Sequence, residues 1–426
     1  MTIPPAILIA PDPSGDNIAS SAEPAVRQQR LLLRTMPIAS FGISVLWGSI
    51  GSIFLAVQLQ TLSPGDKVGS LALAIGIGAF GTMLAGPIAG TLSDRTRTRI
   101  GGRAPWMIVG LVVTIAAMAF MAFATSAVGL VVAYTVVMIA SNFVGSPLIA
   151  HIPDRVPPER RGIFSSLSGL GTIIGAIVGQ TVGAVFSGTI PLGYLVVAAV
   201  FTIAVSIFLI VNARQSNSGV PRERYALIDI LRTFWVNPIR NPDFFWAFVG
   251  RMLIVTGYYL VSALVLYILQ DYIGLGEEAV LQVPVVGGCV LVGIVISTII
   301  SGPLSDKVGR RKVFIFVSAA LMAVSMLTPF VWPTLTGFLV FGFISGFGFG
   351  AYNAVDYALI TQVLPSSAHA GRDLGIINIS GNLPQTFGAA AAGLIVIAFG
   401  YAALFPIAAL IVLVGAVAIV PIRSVR

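Results

Sequence analysis

Two ionisable side chains, Arg251 and Asp356, stand inside long apolar runs of this chain. A charge placed in hydrocarbon is costly, so it points first to function and to a partner of opposite sign. Arg251 lies seven residues from the start of its run and Asp356 seven from the end of its own. At helical rise each is about 10 Å deep. Brought face to face they would pair. Burial and a nearby guanidinium both alter a carboxyl group's proton affinity. A contact that closes in one conformation and opens in another would therefore couple proton binding at Asp356 to shape change. The same two residues could instead form a static ion pair that fixes helix packing, or Arg251 could extend its stem to the surface.

Other polar groups recur at helical spacing. Ser40, Ser44, Trp47, Gly51, Phe54 and Gln58 share one face of the first apolar run. Later runs carry Asn142 and Ser146, then Tyr258, Tyr259 and Ser262, then Asn353 and Tyr357, then Asn378, Asn382 and Gln385. Amides, hydroxyls and rings suit a polyhydroxylated solute, which needs hydrogen bonds and stacking faces. They are also the ordinary glue between membrane helices. Gly171, Gly175 and Gly179 read as a packing face. The single cysteine, Cys289, reads as a buried apolar side chain. The two histidines, His151 and His369, have no nucleophile or metal cluster at useful spacing, and no Gly-x-x-x-x-Gly-Lys phosphate loop is present. An enzyme or a primary pump is not expected, nor is any cofactor or metal.

What must position these groups is membrane. Charged residues are only 9% of the chain, against about 25% in soluble domains, and mean hydropathy is +0.97. No water-soluble surface can be made from this, so an all-α integral membrane protein is expected. Apolar runs long enough to cross a bilayer fall at 36–62, 69–89, 105–124, 127–151, 162–186 and 191–211, then at 244–270, 283–301, 313–331, 335–363, 374–399 and 401–420. Twelve spans place 22 of the 24 Lys and Arg on one side, leaving Lys67 on the other and Arg251 within. Basic loops face the cytoplasm, so both termini are expected there and the net charge of +8 reflects orientation, not nucleic-acid binding. Residues 1–35 read as a disordered cytoplasmic tail, 36–211 as one six-helix bundle, 212–243 as a cytoplasmic linker, 244–422 as a second bundle and 423–426 as a short tail. Within the linker, Tyr225, Ile228, Leu231 and Trp235 fall at the spacing of an amphipathic surface helix.

The two bundles are copies. Gly90-Thr-Leu-Ser-Asp94-Arg95 is echoed by Gly302-Pro-Leu-Ser-Asp306-Lys307, 212 residues later. Asn142-Phe-Val-Gly-Ser-Pro-Leu-Ile and Arg161 recur as Asn353-Ala-Val-Asp-Tyr-Ala-Leu-Ile and Arg372 at an offset of 211. A period of half the chain means duplicated domains. Six spans each give two copies of one orientation, the plan of a rocking transporter with its site between the halves. Gly90 and Gly302 are expected to let a neighbouring helix approach. Asp94 is expected to latch onto the helix start beside Arg372, and Asp306 onto the start beside Arg161, where helix N-termini carry partial positive charge.

The Gly-x-Leu-Ser-Asp-Arg/Lys segment, repeated after the second and eighth spans, resembles the signature loop of the major facilitator superfamily. The longer first copy, through Arg97, Arg99, Arg103 and Pro105-Trp106, is similar to the glycoside–pentoside–hexuronide symporters and their sucrose-transporter relatives. So are Asn241-Pro-Asp-Phe-Phe-Trp-Ala-Phe-Val-Gly-Arg251 and Asn378-x-x-x-Asn382-Leu-Pro-Gln385. The resemblance implies a 6+6 fold and secondary transport by alternating access in the cell membrane. It departs from melibiose-type sodium symporters, because no span of the first half holds a carboxylate. It departs from drug–proton antiporters too: the fourth span has no basic residue, and Ala176 stands where the fifth-span proline would be. Proton-coupled import of a sugar or glycoside is the leading expectation, with the proton as coupling ion, the lipid bilayer and a small solute as partners, and a monomer as the working unit. An antiporter exporting a drug-like compound or metabolite, and a non-transporting nutrient sensor, are the alternatives.

Overall fold

Hydrocarbon offers a peptide group no hydrogen bonds, so an apolar chain within it must satisfy its own backbone, and a helix does so locally. The computed structural model describes residues 15–157, 160–212, 241–308, 311–363 and 370–422. Regular structure among them is helical. In the first half, α1 (Gly15–Ser49) runs on through a π turn (Ile50–Phe54) into Leu55–Leu62, followed by α2 (Lys67–Arg95), α3 (Ala104–Ala122), α4 (Ala127–Arg155), α5 (Arg161–Val185) and α6 (Ile190–Asn212). In the second half, α7 (Pro242–Ser262) breaks and resumes through Val265–Tyr267 and a second π turn (Ile268–Tyr272). Then come α8 (Ala279–Val308), α9 (Arg311–Val331), α10 (Leu335–Val363), α11 (Ala370–Phe399) and α12 (Tyr401–Val417). Ten of these are long and apolar enough to cross a bilayer, while α12 and the Leu383–Phe399 part of α11 are apolar but shorter. The amphipathic linker helix expected around 222–235 lies outside the described residues.

Two differences from the sequence reading have simple causes. First, α1 begins at Gly15, well inside the segment expected to be a tail. Ala19, Ala22, Ala25, Gln28 and Gln29 are helix formers, and they extend the helix before the apolar run begins. Second, the duplicated Asp-Arg/Lys segments are not loops but the last turns of α2 and α8. Nothing between Gly90 and Arg95 breaks a helix; the end comes at Thr96, whose extended backbone still donates to Leu92 O. Arg95 and Lys307 thereby sit at helix C-termini, where partial negative charge favours a cation.

The same pairing of helices occurs twice. In the first half α1 packs on α5 and α6, α2 on α4, and α3 on α4 and α6. In the second half α7 packs on α11 and α12, α8 on α10, and α9 on α10 and α12. The halves touch through α2 with α11 and through α5 with α8, two contacts that the repeat exchanges.

Within the first half the tightest seam is α5 on α1. Gly171, Gly175 and Gly179 present one bare face. A β-carbon on any of them would come within 3.0 Å of the backbone of Pro37, Phe41 or Val45. From the other side, Gly48 meets the backbone of Ala176 in the same way. Between helices in lipid there is little hydrophobic gain, so close packing of small residues carries the association. The glycine run is thus a packing surface.

The halves are also tied at the end away from the arginine-rich segments. Lys67, the first residue of α2, donates to Asp271 Oδ1 at 2.8 Å, and its ammonium lies 5.0 Å from the centroid of the Tyr267 ring. Tyr267 Oη donates to Ala56 O of the Leu55–Leu62 segment at 2.8 Å, and Tyr401 Oη to Asp271 Oδ2 at 2.7 Å. The lone basic residue expected on the outer side is therefore half of a clasp across the two bundles.

The packing is open to two tests. Gly175→Ala should destabilise the first bundle by about 1–3 kcal/mol, an overpacking cost, and lower the melting temperature of the purified protein. Gly169→Ala, whose added methyl meets nothing within 4 Å, should not. Partly exposed ion pairs contribute about 0.2–1 kcal/mol, so Lys67→Ala should bias the clasp severalfold toward open. Spin labels at Thr61 and Glu277, in a Cys289→Ser background, should then report a longer distance; an unchanged distance distribution would mean that the clasp does not hold this end.

Candidate functional site

Between the bundles lies a cavity of about 550 Å³. Its walls come from α1, α2, α4 and α5 on one side and from α7, α8 and α11 on the other. Trp47, Tyr134, Gln180, Tyr258, Tyr259 and Gln385 give it its character. Trp47 is fixed by its own Nε1, which donates to Ser141 Oγ at 3.1 Å. Its ring therefore keeps one orientation, while Gly51, a turn further along α1, leaves the wall open beside it. Tyr258 is held by stacking on Phe349, with ring centroids 4.3 Å apart and planes 11° from parallel, and by the edge of Tyr259 at 5.6 Å.

The polar content of the cavity is neutral. Amides (Gln180, Gln385), hydroxyls (Ser52, Thr82, Ser262) and aromatic rings line it, with no acidic or basic side chain among the lining residues. Two polar atoms of this wall, Thr82 Oγ1 and Gln180 Oε1, are buried with no hydrogen-bond partner among the described residues. Buried polar atoms are normally paired, so both are atoms for which a bound molecule could supply the partner.

Arg251 and Asp356 meet. The guanidinium of Arg251, through Nη1, donates to Asp356 Oδ2. Tyr352 Oη donates to the other carboxylate oxygen at 3.0 Å. Exposure is 5% for Arg251 and 2% for Asp356. The pair bridges α7 and α10, two helices of the same bundle, and neither residue lines the central cavity. Rigid rocking of one bundle against the other would leave such a contact intact.

Of the remaining sequence candidates, Trp47, Tyr258, Tyr259 and Gln385 line the cavity, whereas Gln58, Asn142, Ser146 and Asn353 do not. Gln58 is buried, and both ends of its amide are engaged inside the first bundle: Nε2 donates to Met121 O at 2.7 Å, and Oε1 accepts from Tyr194 Oη at 2.8 Å. Asn142 Nδ2 donates back to Met138 O, and Asn353 Nδ2 to Phe349 O, both at 2.9 Å. These repeat partners make the same intrahelical bond. Ser146 sits beside Gly86 of α2. The side chains of Tyr357, Asn378 and Asn382 lie outside the described residues.

The latch is mostly beyond description as well: the surroundings of Gly302 and the side chains of Asp94, Asp306 and Arg372 are not among what is described. Arg95 and Lys307 are exposed, and Arg161 Nε donates to Val156 O at 3.0 Å, closing the turn before its own helix. Gly90 departs from expectation. A β-carbon there would meet nothing within 4 Å, so no helix crowds it; the described bonds between the halves lie at the opposite end. The Pro105-Trp106 motif does have visible work. Trp106 Nε1 donates to Thr96 Oγ1 at 2.7 Å and its ring packs against Phe143 at 5.9 Å, which pins the end of α2 to the start of α3.

Thr82, Tyr134 and Gln180 are cavity residues that sequence patterning passed over. Gln180 directly follows the last glycine of the packing run; an amide beside a bare helix face was the available signal.

A comparison with curated protein sequences returned no match. The family model described as Major Facilitator Superfamily matches residues 36–294 and 279–425. Among solved structures, the nucleoside transporter NupG superposes with a TM-score of 0.74 at 14% identity, covering 92% of this chain and 98% of that one. The peptide transporter POT in complex with sulfate gives 0.71 at 16% identity, with 92% and 94% covered. A bacterial homolog of the human lysosomal transporter Spinster, in an inward-facing and unoccupied conformation, gives 0.65 at 16% identity, with 93% and 95% covered. With the family matched across nearly the whole chain, two like bundles and a cavity between them, this chain belongs to the Major Facilitator Superfamily and is a multi-pass integral membrane transporter.

Proposed function

We propose that this transporter carries an uncharged, hydroxyl-rich solute, a sugar or glycoside, by alternating access, with the proton as coupling ion. The observation that carries the reading is the neutral wall of the central cavity. An ionic solute would leave water for a site offering no counter-charge, and burying an unpaired charge is prohibitive. A sugar would instead find rings to stack on at Trp47 and Tyr258 and amides to bond at Gln180 and Gln385. The resemblance to the glycoside–pentoside–hexuronide branch agrees with that chemistry. NupG, similar in fold, is a nucleoside transporter, and a nucleoside also joins hydroxyls to a flat ring. Twelve spans with both termini in the cytoplasm complete the reading, and the direction is inward.

Coupling is assigned to Asp356. Among the described residues it and Arg251 are the buried charged pair. Protonating the carboxylate would remove its charge from the contact with Arg251, and losing one partner of a buried pair costs about 3–5 kcal/mol. That energy is available to move α7 against α10. The motion required is thus local to the second bundle and adds to the rocking of the halves.

Proteoliposomes under an imposed pH gradient test both parts. Wild type should accumulate a neutral sugar or nucleoside from a panel that also contains tetraphenylphosphonium and a charged dipeptide. In Asp356→Asn, gradient-driven uptake should fall to the level seen without a gradient, while solute exchange persists. Undiminished accumulation by Asp356→Asn would remove the proton from this site, and uptake of the charged compounds alone would remove the uncharged solute. Accumulation only when the gradient is reversed would identify an exporting antiporter.

A further inference from the structure

Gln180 occupies a position that its sequence context does not explain. It belongs to α5, yet its amide reaches across the seam to α8 of the other bundle. The space it enters is left by Gly287, where a β-carbon would come within 3.0 Å of Gln180 Oε1. A β-carbon at residue 287 would force the amide to shift from this position. The next residue, Gly288, has nothing within 4 Å of an added β-carbon, so the accommodation is specific to one of two adjacent glycines.

Three facts converge on this side chain. It lines the cavity. Its carbonyl oxygen is buried without a partner among the described residues. It sits at one of the two helix pairs through which the bundles touch. An amide used only for packing would have its oxygen satisfied, as Gln58 does within the first bundle. A buried acceptor left open costs stability, and a donor arriving in the cavity would relieve that cost.

We propose that Gln180 is the residue that determines solute specificity: its Oε1 accepts a hydrogen bond from a solute hydroxyl or N–H, and the missing side chain at Gly287 holds it in reach. Thr82, the other unpartnered group of the wall, supplies a second hydroxyl contact from α2. The assignment rests on the uncharged-solute reading above and sharpens it. The solute must present a donor, so ethers and fully alkylated analogues are rejected because they leave the buried oxygen open. The bond also forms at the seam, so the contact that recognises the solute lies where the bundles move past each other.

The test uses the purified full-length protein and its tryptophan fluorescence, to which Trp47 in the cavity wall contributes. Methyl β-glucoside, phenyl β-glucoside and uridine are the neutral probes, each paired with its fully O-methylated form (with N3 of uridine methylated too); tetraphenylphosphonium and a dipeptide are the charged ones. Wild type should bind a neutral probe and discriminate against its O-methylated form. Gln180→Leu should weaken binding of the hydroxylated probe by about tenfold, one hydrogen bond's worth, and bind the two forms alike. Gly287→Ala should do the same, whereas Gly288→Ala should behave as wild type. Unchanged discrimination in Gln180→Leu or Gly287→Ala, with a neutral probe bound by wild type, would overturn the role of Gln180 alone. Binding of charged probes only, or of no neutral probe, would overturn the uncharged-solute reading together with this assignment.

Discussion

The bare face of α5 against α1 is the contact on which the first bundle depends. Lipid tails are as apolar as leucine, so helices gain little by hiding side chains from them. What remains is dispersion, which falls off steeply with separation. Gly171, Gly175 and Gly179 let two backbones approach until carbonyl oxygens of α1 lie where β-carbons would otherwise be. The second bundle uses the same means elsewhere: Gly346 and Gly350 of α10 bring its backbone against Val290 and Ile294 of α8. Bundles built this way behave as solid bodies. Mobility is left to the seams between them, and the cavity lies between the bundles, where it can exchange its exposure from one side of the membrane to the other.

Much of this was legible in the chain. Low charge and long apolar runs settled the class. The paired Gly-x-Leu-Ser-Asp segments and the Asn142/Asn353 echo revealed the duplication, and the structure repeats each helix pairing accordingly. Two isolated charges in apolar runs were enough to anticipate the Arg251–Asp356 contact, because an unpaired charge at such depth has few alternatives. Polar residues at helical spacing were a weaker guide. Gln58 and Asn142 have the same types and spacing as true cavity residues, yet their hydrogen bonds close inside one bundle. Periodicity identifies a face; it does not say whether that face meets a neighbouring helix or an open cavity. Gln180 was missed for the converse reason, since its position becomes meaningful only when α8 and Gly287 are beside it, and that proximity depends on residues more than a hundred positions away.

The location of the buried ion pair constrains the coupling proposed for it. Had Arg251 and Asp356 faced one another across the seam, rocking alone would have broken their contact. Placed between α7 and α10, they are insulated from that motion. The bond from Tyr352 further commits the carboxylate to its place. A proton-driven step at this pair would work by shifting one helix inside a bundle, and α7, one of the two helices it joins, is broken after Ser262.

The two π turns carry a consequence of their own. A π turn accommodates one residue beyond the count of an α-helix, so each marks a place where chain length, not side-chain chemistry, sets the register of the residues beyond it. Removing a single residue from Ile50–Phe54 would rotate the rest of that span by about 100°. Gln58 would swing from its pocket against Tyr194, and Ala56 would no longer offer its carbonyl to Tyr267. The matching turn at Ile268–Tyr272 aims Asp271 at Lys67 in the same way. Both halves of the Lys67–Asp271 clasp are thus set in register by one extra residue apiece, so a single-codon deletion in either turn would misalign it.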